Sequence, residues 1–266
     1  MKATVSAPGS IVLPDRTALE RGLPGLLLAC SERVYVSITK AERASVQASR
    51  HKAFVSKILD GFSEKFNDQK DTNWAVSINS SFFDEAAFGF LPAVTVALVG
   101  ALMYTTRGLW NPLAIHKNAY EILKPYNNYA DAECTVATFG GVLWYRRELS
   151  YLTSLWQLPV KIKPAMQKFF VRAVTSAKIQ RTRESAVENE GWVKRFAEVL
   201  KKEDVNEVSR VMKQRGEITL KSKGNKEWHL CFGKIDNRTT IRTIQLGEEG
   251  IRLEKGNPYE NNRRPE

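Results

Sequence analysis

The alternation of apolar and polar residues predicts strands in both halves of the chain. Residues 34–38, with the sequence VYVSI, alternate with a period of two and indicate that the apolar stretch 26–40 ends as a strand. Pro8 and Gly9 interrupt the first apolar stretch, so we expect a turn there between two short strands. Other short apolar runs bounded by turn residues give the remaining predicted strands: 2–6, 10–13, 74–78, 142–145 and 168–174.

Apolar residues spaced three or four positions apart predict helices between these strands. Pro125 is expected to end the helix predicted over residues 112–124. Because strands come first, helices follow and strands return, the pattern favours an α+β fold. The segments with helical spacing are 42–70 (through Ala53, Ile58 and Phe62), 112–124 (through Ile115, Ala119 and Ile122), 131–138 and the charged segment 184–211.

The longest apolar run, residues 86–106, contains no charge and is long enough to span a bilayer. Pro92 lies inside the run, Gly89 and Gly100 interrupt it, and no polybasic flank would orient it in a membrane. We therefore expect a helix over 92–106 that is buried in a globular core, and no membrane partner.

Composition and cysteine usage fit an ordinary globular protein. The chain has 266 residues, of which 43% are hydrophobic and 26% charged, which excludes chain-wide disorder and predicts one large or two small domains. The three cysteines (Cys30, Cys134 and Cys231) show no CxxC spacing and cannot all pair within one chain. The first ten residues lack a signal-peptide apolar segment. We expect a reducing, cytoplasmic location and no zinc finger.

The positive charge of the chain is concentrated in its C-terminal part. Residues 1–157 hold 16 Lys or Arg against 14 Asp or Glu, a net charge of +2, whereas residues 158–266 hold 24 against 15, a net charge of +9. Such asymmetry can attract nucleic acid or an anionic substrate. No RNP pattern, finger spacing or regular basic-aromatic interleaving accompanies it, so we expect solvated, lysine-rich helices and no nucleic-acid partner. Nucleic-acid binding stays open as one functional alternative, apart from those that the motifs suggest below.

A series of motifs covers about residues 1–175 in a fixed order. The motifs are VSAPGSIVL at 5–13, Gly22-Leu23-Pro24, VYVSI at 34–38, SINSSF at 77–82, FGFLPAVTVALVGAL at 88–102, AYEILK at 119–124 and VATFGGVLWYR at 136–146. In this order and spacing the chain resembles the GHMP small-molecule kinases, most closely their mevalonate kinase branch. No motif of the family is recognisable in residues 222–266.

The resemblance implies a two-layer α+β fold and a domain organisation. A ribosomal-protein-like N-terminal domain would cover residues 1–157, and a partial, helical and ferredoxin-like domain would cover 158–221. Residues 222–266 would form a divergent segment that can be disordered, and the last twelve residues have the composition of a disordered tail.

The resemblance also implies ATP-dependent phosphoryl transfer to a mevalonate-like alcohol, as in isoprenoid biosynthesis, with ATP and Mg²⁺ as cofactors. A homodimer is compatible with it. In the family, backbone N–H groups of a glycine-rich loop at a helix N-terminus hold the triphosphate. An aspartate orients or deprotonates the acceptor hydroxyl, and a lysine near the N-terminus supports it.

Motif by motif, the resemblance assigns candidate site residues. Glu133 or, after a two-residue slip, Asp131 takes the place of the catalytic aspartate, and Glu133 is also the candidate metal ligand. Ser10 stands where the lysine is expected. Carboxylates at a helix start also cap it, so a purely structural role stays open for both. The cofactor-binding positions are Ala86, Ala87, Phe88, Gly89, Phe90 and Leu91, and the substrate-binding positions are Thr17, Thr138 and Gly140.

The loop departs from the family at the positions that handle phosphate. Gly89 is the only loop glycine retained, and Phe90 and Leu91 replace two serines. Asp84 and Glu85 add negative charge; a carboxylate about 5 Å from a phosphate charge costs roughly 3 kcal/mol at an effective dielectric constant of about 20. We therefore expect weak ATP binding. Two alternatives remain: an active kinase, or a catalytically inactive, pseudokinase-like homologue without a nucleotide site.

Overall fold

Two β-sheets and seven helices make up the described part of the chain. The computed structural model describes residues 2–14, 16–47, 51–66, 72–149, 152–158, 168–175, 186–202, 204–215, 218–221, 226–231 and 241–254. The strands are β1 (Lys2–Leu13), β2 (Gly25–Lys40), β3 (Ser45–Gln47), β4 (Trp74–Ser80), β5 (Val142–Leu149), β6 (Leu152–Gln157), β7 (Lys168–Thr175), β8 (Ile218–Lys221), β9 (Lys226–Cys231), β10 (Ile241–Gln245) and β11 (Arg252–Glu254). The helices are α1 (Arg16–Glu20), α2 (Lys52–Lys65), α3 (Phe90–Arg107), α4 (Pro112–Leu123), α5 (Ala130–Phe139), α6 (Ala186–Lys202) and α7 (Val205–Arg215).

The sixteen-residue strand β2 is the centre of the larger, seven-stranded sheet. One edge of β2 pairs with β1, and the other edge pairs first with β5 through residues 25–28 and then with β4 through residues 34–40. The smaller sheet has the order β10-β7-β9-β8. Mixed strands and helices of this kind confirm the predicted α+β class.

The first strand is continuous, so the turn predicted at Pro8-Gly9 is wrong. β1 pairs antiparallel with β2 on both sides of these residues, and the register shifts between them from Pro8–Arg33 to Gly9–Cys30. The extra residues are Ser31 and Glu32 of β2, so a bulge in β2 lies opposite Pro8 and Gly9. A Cβ on Gly9 would lie 2.7 Å from the Phe88 carbonyl oxygen, which explains why a glycine fits here.

Helix α3 is the buried core helix that the apolar run predicts. Fourteen of its eighteen residues are buried, and it packs against β1, β2, α4 and α5. Within the described residues it is also the one helix long and apolar enough to cross a membrane, and 78% of its apolar window is buried inside the protein. It begins at Phe90, two residues before Pro92, which lies in the first turn where its missing N–H breaks no helical bond.

The other predicted helices are present, but the helical spacing predicted over 42–70 is wrong at Ser45–Gln47, which form the strand β3. The buried face of α2 carries Val55, Ile58 and Phe62, whereas Ala53 is exposed. The helical stretch predicted over 184–211 is two helices, because the Asp204 carboxylate accepts the N–H groups of Asn206 and Glu207 and so begins α7. The short edge strands β3 and β6 carry no strong alternation and were not predicted.

Part of the divergent segment 222–266 is folded. Residues 226–231 and 241–245 form strands of the smaller sheet, and β11 pairs with β1 at the edge of the larger sheet. The last twelve residues lie outside the described part of the chain. The predicted domain boundaries at residues 157 and 221 stay predictions.

Candidate functional site

Three elements meet at the N-terminus of α3: strand β1, the loop 84–91 and helix α5. Gly89 caps α3 in the left-handed conformation, with φ at 65°. A Cβ on Gly89 would overlap with the hydroxyl of Ser10 and would lie 3.7 Å from Glu133 Oε1. The Ser10 N–H donates to the Phe88 carbonyl over 2.9 Å. The structure therefore brings together Ser10, Gly89 and Glu133, and requires glycine at 89 for two reasons.

The Glu133 carboxylate is buried and fully engaged by protein groups. Its Oε1 lies 2.7 Å from both Nε and Nη2 of Arg16, and its Oε2 accepts the Asn127 side-chain amide over 2.9 Å. Arg16 also reaches the Ala86 carbonyl with Nη1 at 3.4 Å. The sequence prediction missed Arg16 and selected its neighbour Thr17, whose side chain lies outside the described part. The sequence signal that could have identified Arg16 was a positively charged residue shortly after β1, in a chain that has Ser10 where the resemblance implies a lysine.

Asp131, the alternative to Glu133, faces away from this site. Its Oδ2 accepts the Tyr145 hydroxyl over 2.9 Å, and its Oδ1 lies 3.7 Å from His116 Nε2. Burial lowers the pKa of His116, and the nearby Asp131 partly opposes this. Burial also raises the pKa of Tyr145. Because residues two apart on a helix point about 200° apart, Glu133 and Asp131 cannot share one role.

Three backbone amides of the loop, those of Ala86, Ala87 and Phe90, donate to groups of the chain itself. Asp84 Oδ1 accepts the N–H groups of Ala86 and Ala87, each over 3.1 Å, and the Phe90 N–H donates to the Glu85 carbonyl over 3.1 Å. In a phosphate-binding loop such amides point at the ligand. Here an internal carboxylate takes the position of an external anion.

Aromatic side chains fasten the same loop to both hydrophobic cores. Phe88 is fully buried in the core that contains α6 and α7, and its ring lies 4.9 Å from that of Phe83. Phe90 is buried in the core around α3, with its ring 5.4 Å from Phe82 and 4.7 Å from His51. Of the six predicted cofactor-binding residues, only Leu91 keeps a largely exposed side chain.

The predicted substrate residues Thr138 and Gly140 lie at the end of α5. Thr138 is buried, and within the described residues its hydroxyl has no hydrogen-bond partner. Its carbonyl accepts the Ile251 N–H over 3.1 Å. Gly140 has φ at 68°, and a Cβ there would overlap with the backbone of Gly250. This turn therefore packs against residues from the end of the chain, whereas Ser10 and Glu133 lie around Gly89.

Comparison with solved structures identifies the architecture. No protein-family model matches the sequence, and no curated protein matches it. A protein assigned as a sugar kinase from Campylobacter jejuni superimposes with a TM-score of 0.73 and 12% identity over 95% of this chain and 98% of its own. The mevalonate kinase of Methanococcus jannaschii gives a TM-score of 0.67 and 10% identity over 92% and 98%. The D-glycero-D-manno-heptose 1-phosphate kinase of Bacteroides thetaiotaomicron gives 0.69 and 13% over 97% and 100%.

The chain has the GHMP-kinase fold. The resemblance stated from the motifs is thereby confirmed at the level of the fold, since identities of 10–13% carry the architecture alone. The kinase activity, the acceptor and the site roles are separate matters that depend on the residues described above.

The residues of this GHMP-kinase-fold site do not fit a magnesium–triphosphate group. A metal ion at Glu133 would compete with the guanidinium of Arg16 for Oε1 or with the Asn127 amide for Oε2. Among the described residues, no group of three or more histidine, cysteine, aspartate or glutamate side chains is arranged to hold a metal ion. The triphosphate would have to displace the Asp84 carboxylate from the loop amides.

Proposed function

We propose that the chain is a catalytically inactive protein of the GHMP-kinase fold, in which the phosphate loop has become a structural element. The observation that supports the proposal most directly is that the Asp84 carboxylate accepts hydrogen bonds from the backbone N–H groups of both Ala86 and Ala87. These amides would otherwise be donors to a phosphate, and an anion already bonded to them must be removed before another can bind.

Charge adds to this obstacle. A triphosphate at the N-terminus of α3 would face Asp84 on the loop and Glu133 beside Gly89. Each carboxylate about 5 Å from a phosphate charge costs roughly 3 kcal/mol, which is about a hundredfold in affinity. Arg16 offsets part of the Glu133 charge.

Packing also holds the loop in place. Phe88 and Phe90 are 0% and 2% exposed and belong to two different cores, so a movement of the loop would withdraw apolar surface from both. Fully burying one such side chain is worth about 1.5–3 kcal/mol. The loop is therefore held closed by its own aromatic residues.

A kinase acting on a mevalonate-like alcohol is the second candidate, and one observation favours it. Glu133 lies on α5 beside the start of α3, where a carboxylate could take the proton of an acceptor hydroxyl, and Arg16 supplies the adjacent positive charge. ATP with Mg²⁺ would supply the transferred phosphoryl group.

Calorimetric titration with Mg·ATP, with and without mevalonate, separates the two candidates. We expect no heat up to millimolar ATP from a protein that circular dichroism shows to be folded. Micromolar binding that responds to mevalonate would overturn the proposal, and a turnover assay would follow. The Asp84→Ala variant tests the cause, because it frees the Ala86 and Ala87 amides and removes the charge, and it should bind Mg·ATP more tightly than the unmodified protein. Asp60→Ala, on the exposed face of α2, is the matched control and should leave binding unchanged.

The remaining expectations belong to the same proposal. A cytoplasmic location, a homodimer and the absence of a nucleic-acid partner stay predictions. For nucleic acid, the salt dependence of any DNA binding is the measurement, since binding through phosphate contacts weakens steeply with salt.

A further inference from the structure

The end of the described chain returns to the first sheet as a short segment, residues 246–254, which we call the strap. Its last three residues form β11, which pairs with β1 from Thr4 to Ser6. Its first residues pass β2. There the Gly247 N–H donates to the Ala29 carbonyl over 2.8 Å, and Leu246 forms an isolated antiparallel β-bridge with Cys30. Backbone hydrogen bonds thus attach both ends of the strap to β1 and β2.

Arg33 on β2 clamps the middle of the strap. Its Nη1 donates to the Glu249 carbonyl and its Nη2 to the Gly250 carbonyl, each over 2.8 Å. Its Nε and Nη2 also bind the Ser6 hydroxyl at 3.2 and 3.0 Å, and Nη2 lies 3.5 Å from the Ser6 carbonyl. The Ser6 hydroxyl donates in turn to Glu254 in the strap. Arg33 therefore holds the strap directly and through Ser6.

The burial of Arg33 depends on the strap. The residue is only 5% exposed, and burial, with the nearby Arg252 adding to it, lowers its pKa to about 10. A buried guanidinium is costly unless its N–H groups are bonded. The strap supplies two of the carbonyls that accept hydrogen bonds from this buried guanidinium.

The strap also bears on the turn at the end of α5. The Gly141 N–H donates to the Glu248 carbonyl over 2.7 Å, and the Ile251 N–H donates to Thr138. A Cβ on Gly140 or on Gly250 would overlap with the facing backbone, so the two segments are in close backbone contact. Docking of the strap consequently fixes the conformation of residues 138–141.

Apolar burial contributes less to the strap than to the core helix. Leu246 is buried, whereas Ile251 and Leu253 are half-buried, and the other strap residues are glycines or charged. In α3 fourteen of eighteen residues are buried. Segments with few buried apolar contacts open at lower free energy than the core.

We infer that the strap is a separately opening unit whose docking is controlled by Arg33, and that its opening releases the turn 138–141 and the outer edge of β1. The inference does not depend on whether the loop 84–91 binds ATP. It assigns Arg33 a positioning role, since Arg33 acts on the turn through the strap and not by direct contact.

Hydrogen exchange followed by mass spectrometry on the full chain tests this. In Arg33→Met, we expect the amides of Gly141, Gly247 and Ile251 to exchange at least tenfold faster, with α3 unchanged. Arg210→Met is the matched control, because it removes an exposed arginine that pairs with Glu207 on α7; its strap exchange should stay within twofold of that of the unmodified protein. Equal acceleration of α3 and the strap, or no acceleration, overturns the inference.

The unmodified protein provides a second test that does not require a stable variant. In low concentrations of urea, the strap amides should exchange through an opening with a smaller urea dependence than that of α3, since less surface is exposed. If strap and α3 share one opening with one urea dependence, the strap is not a separate unit and the inference fails.

Discussion

Arg16 and Glu133, 117 positions apart, form an ion pair in which both Nε and Nη2 of the arginine lie 2.7 Å from one carboxylate oxygen. The Glu133 side chain is 3% exposed and that of Arg16 24%, so the pair lies at the border between core and solvent. The carboxylate is the buried partner, and its charge depends on the arginine for compensation.

Arg16→Met should therefore destabilise the protein by about 2–4 kcal/mol, because it leaves a buried carboxylate without its cation. The measurement is urea unfolding at pH 7. The double variant Arg16→Met with Glu133→Gln should recover a large part of the loss. Lys194→Met, which breaks an exposed pair with Glu190 on α6, should change nothing measurable. If Arg16→Met and Lys194→Met lowered the free energy of unfolding equally, this account would be contradicted.

Two glycines should respond to alanine in opposite directions. Gly140 has φ at 68° and ψ at −165°, and a Cβ there would overlap with the Gly250 backbone, so Gly140→Ala should cost at least about 3 kcal/mol. Gly191 lies in the exposed part of α6 with no atom near its missing Cβ, so Gly191→Ala should stabilise by about 1 kcal/mol. Thermal unfolding of both variants measures the two effects. If both substitutions destabilised the protein, the predicted difference between Gly140 and Gly191 would be refuted.

The elements that could be predicted from sequence are those specified by local pattern. Helix α3 follows from a long apolar run without charge, and α4 from apolar spacing that begins after Asn111, whose side chain accepts the Ala114 N–H. The resemblance selected Ser10, Gly89 and Glu133 from separate motifs, and the structure places them beside one another; their roles stay predictions.

The features that escaped prediction depend on contacts distant in sequence. Pro8 and Gly9 look like a turn until the pairing with β2 is known. Arg16 belongs to the site only because Glu133 lies next to it in space. The choice between Asp131 and Glu133 was open because a slip of two residues is small in an alignment, whereas on a helix it reverses the direction of the side chain.

Restoring the two serines of the loop should not have equal effects. Phe90→Ser would leave a cavity between Phe82 and His51 and should cost about 3–5 kcal/mol. Leu91→Ser, at a side chain that is 39% exposed, should stay within about 0.5 kcal/mol. Urea unfolding measures both. A tolerant Phe90→Ser would show that the loop is not the packing element described above.

His116 should make the protein less stable as the pH falls. Burial lowers its pKa in the folded state, so the unfolded chain takes up the proton first and stability decreases below the ordinary histidine pKa of about 6.5. Comparing unfolding free energies at pH 7.5 and 5.0 should show a smaller loss for His116→Gln than for the unmodified protein. Parallel pH profiles would contradict this.

The irregularity at Pro8-Gly9 ties the two hydrophobic cores to one pair of strands. Before it, Ala3, Val5 and Ala7 contribute to the core around α3; after it, Ile11 and Leu13 contribute to the core with α6 and α7. Since β1 and β2 stay paired on both sides of this point, bending one core against the other would mean bending two paired strands. The backbones of β1 and β2 thus act as a shared hinge pin between the two cores, whereas the strap lies outside that pair.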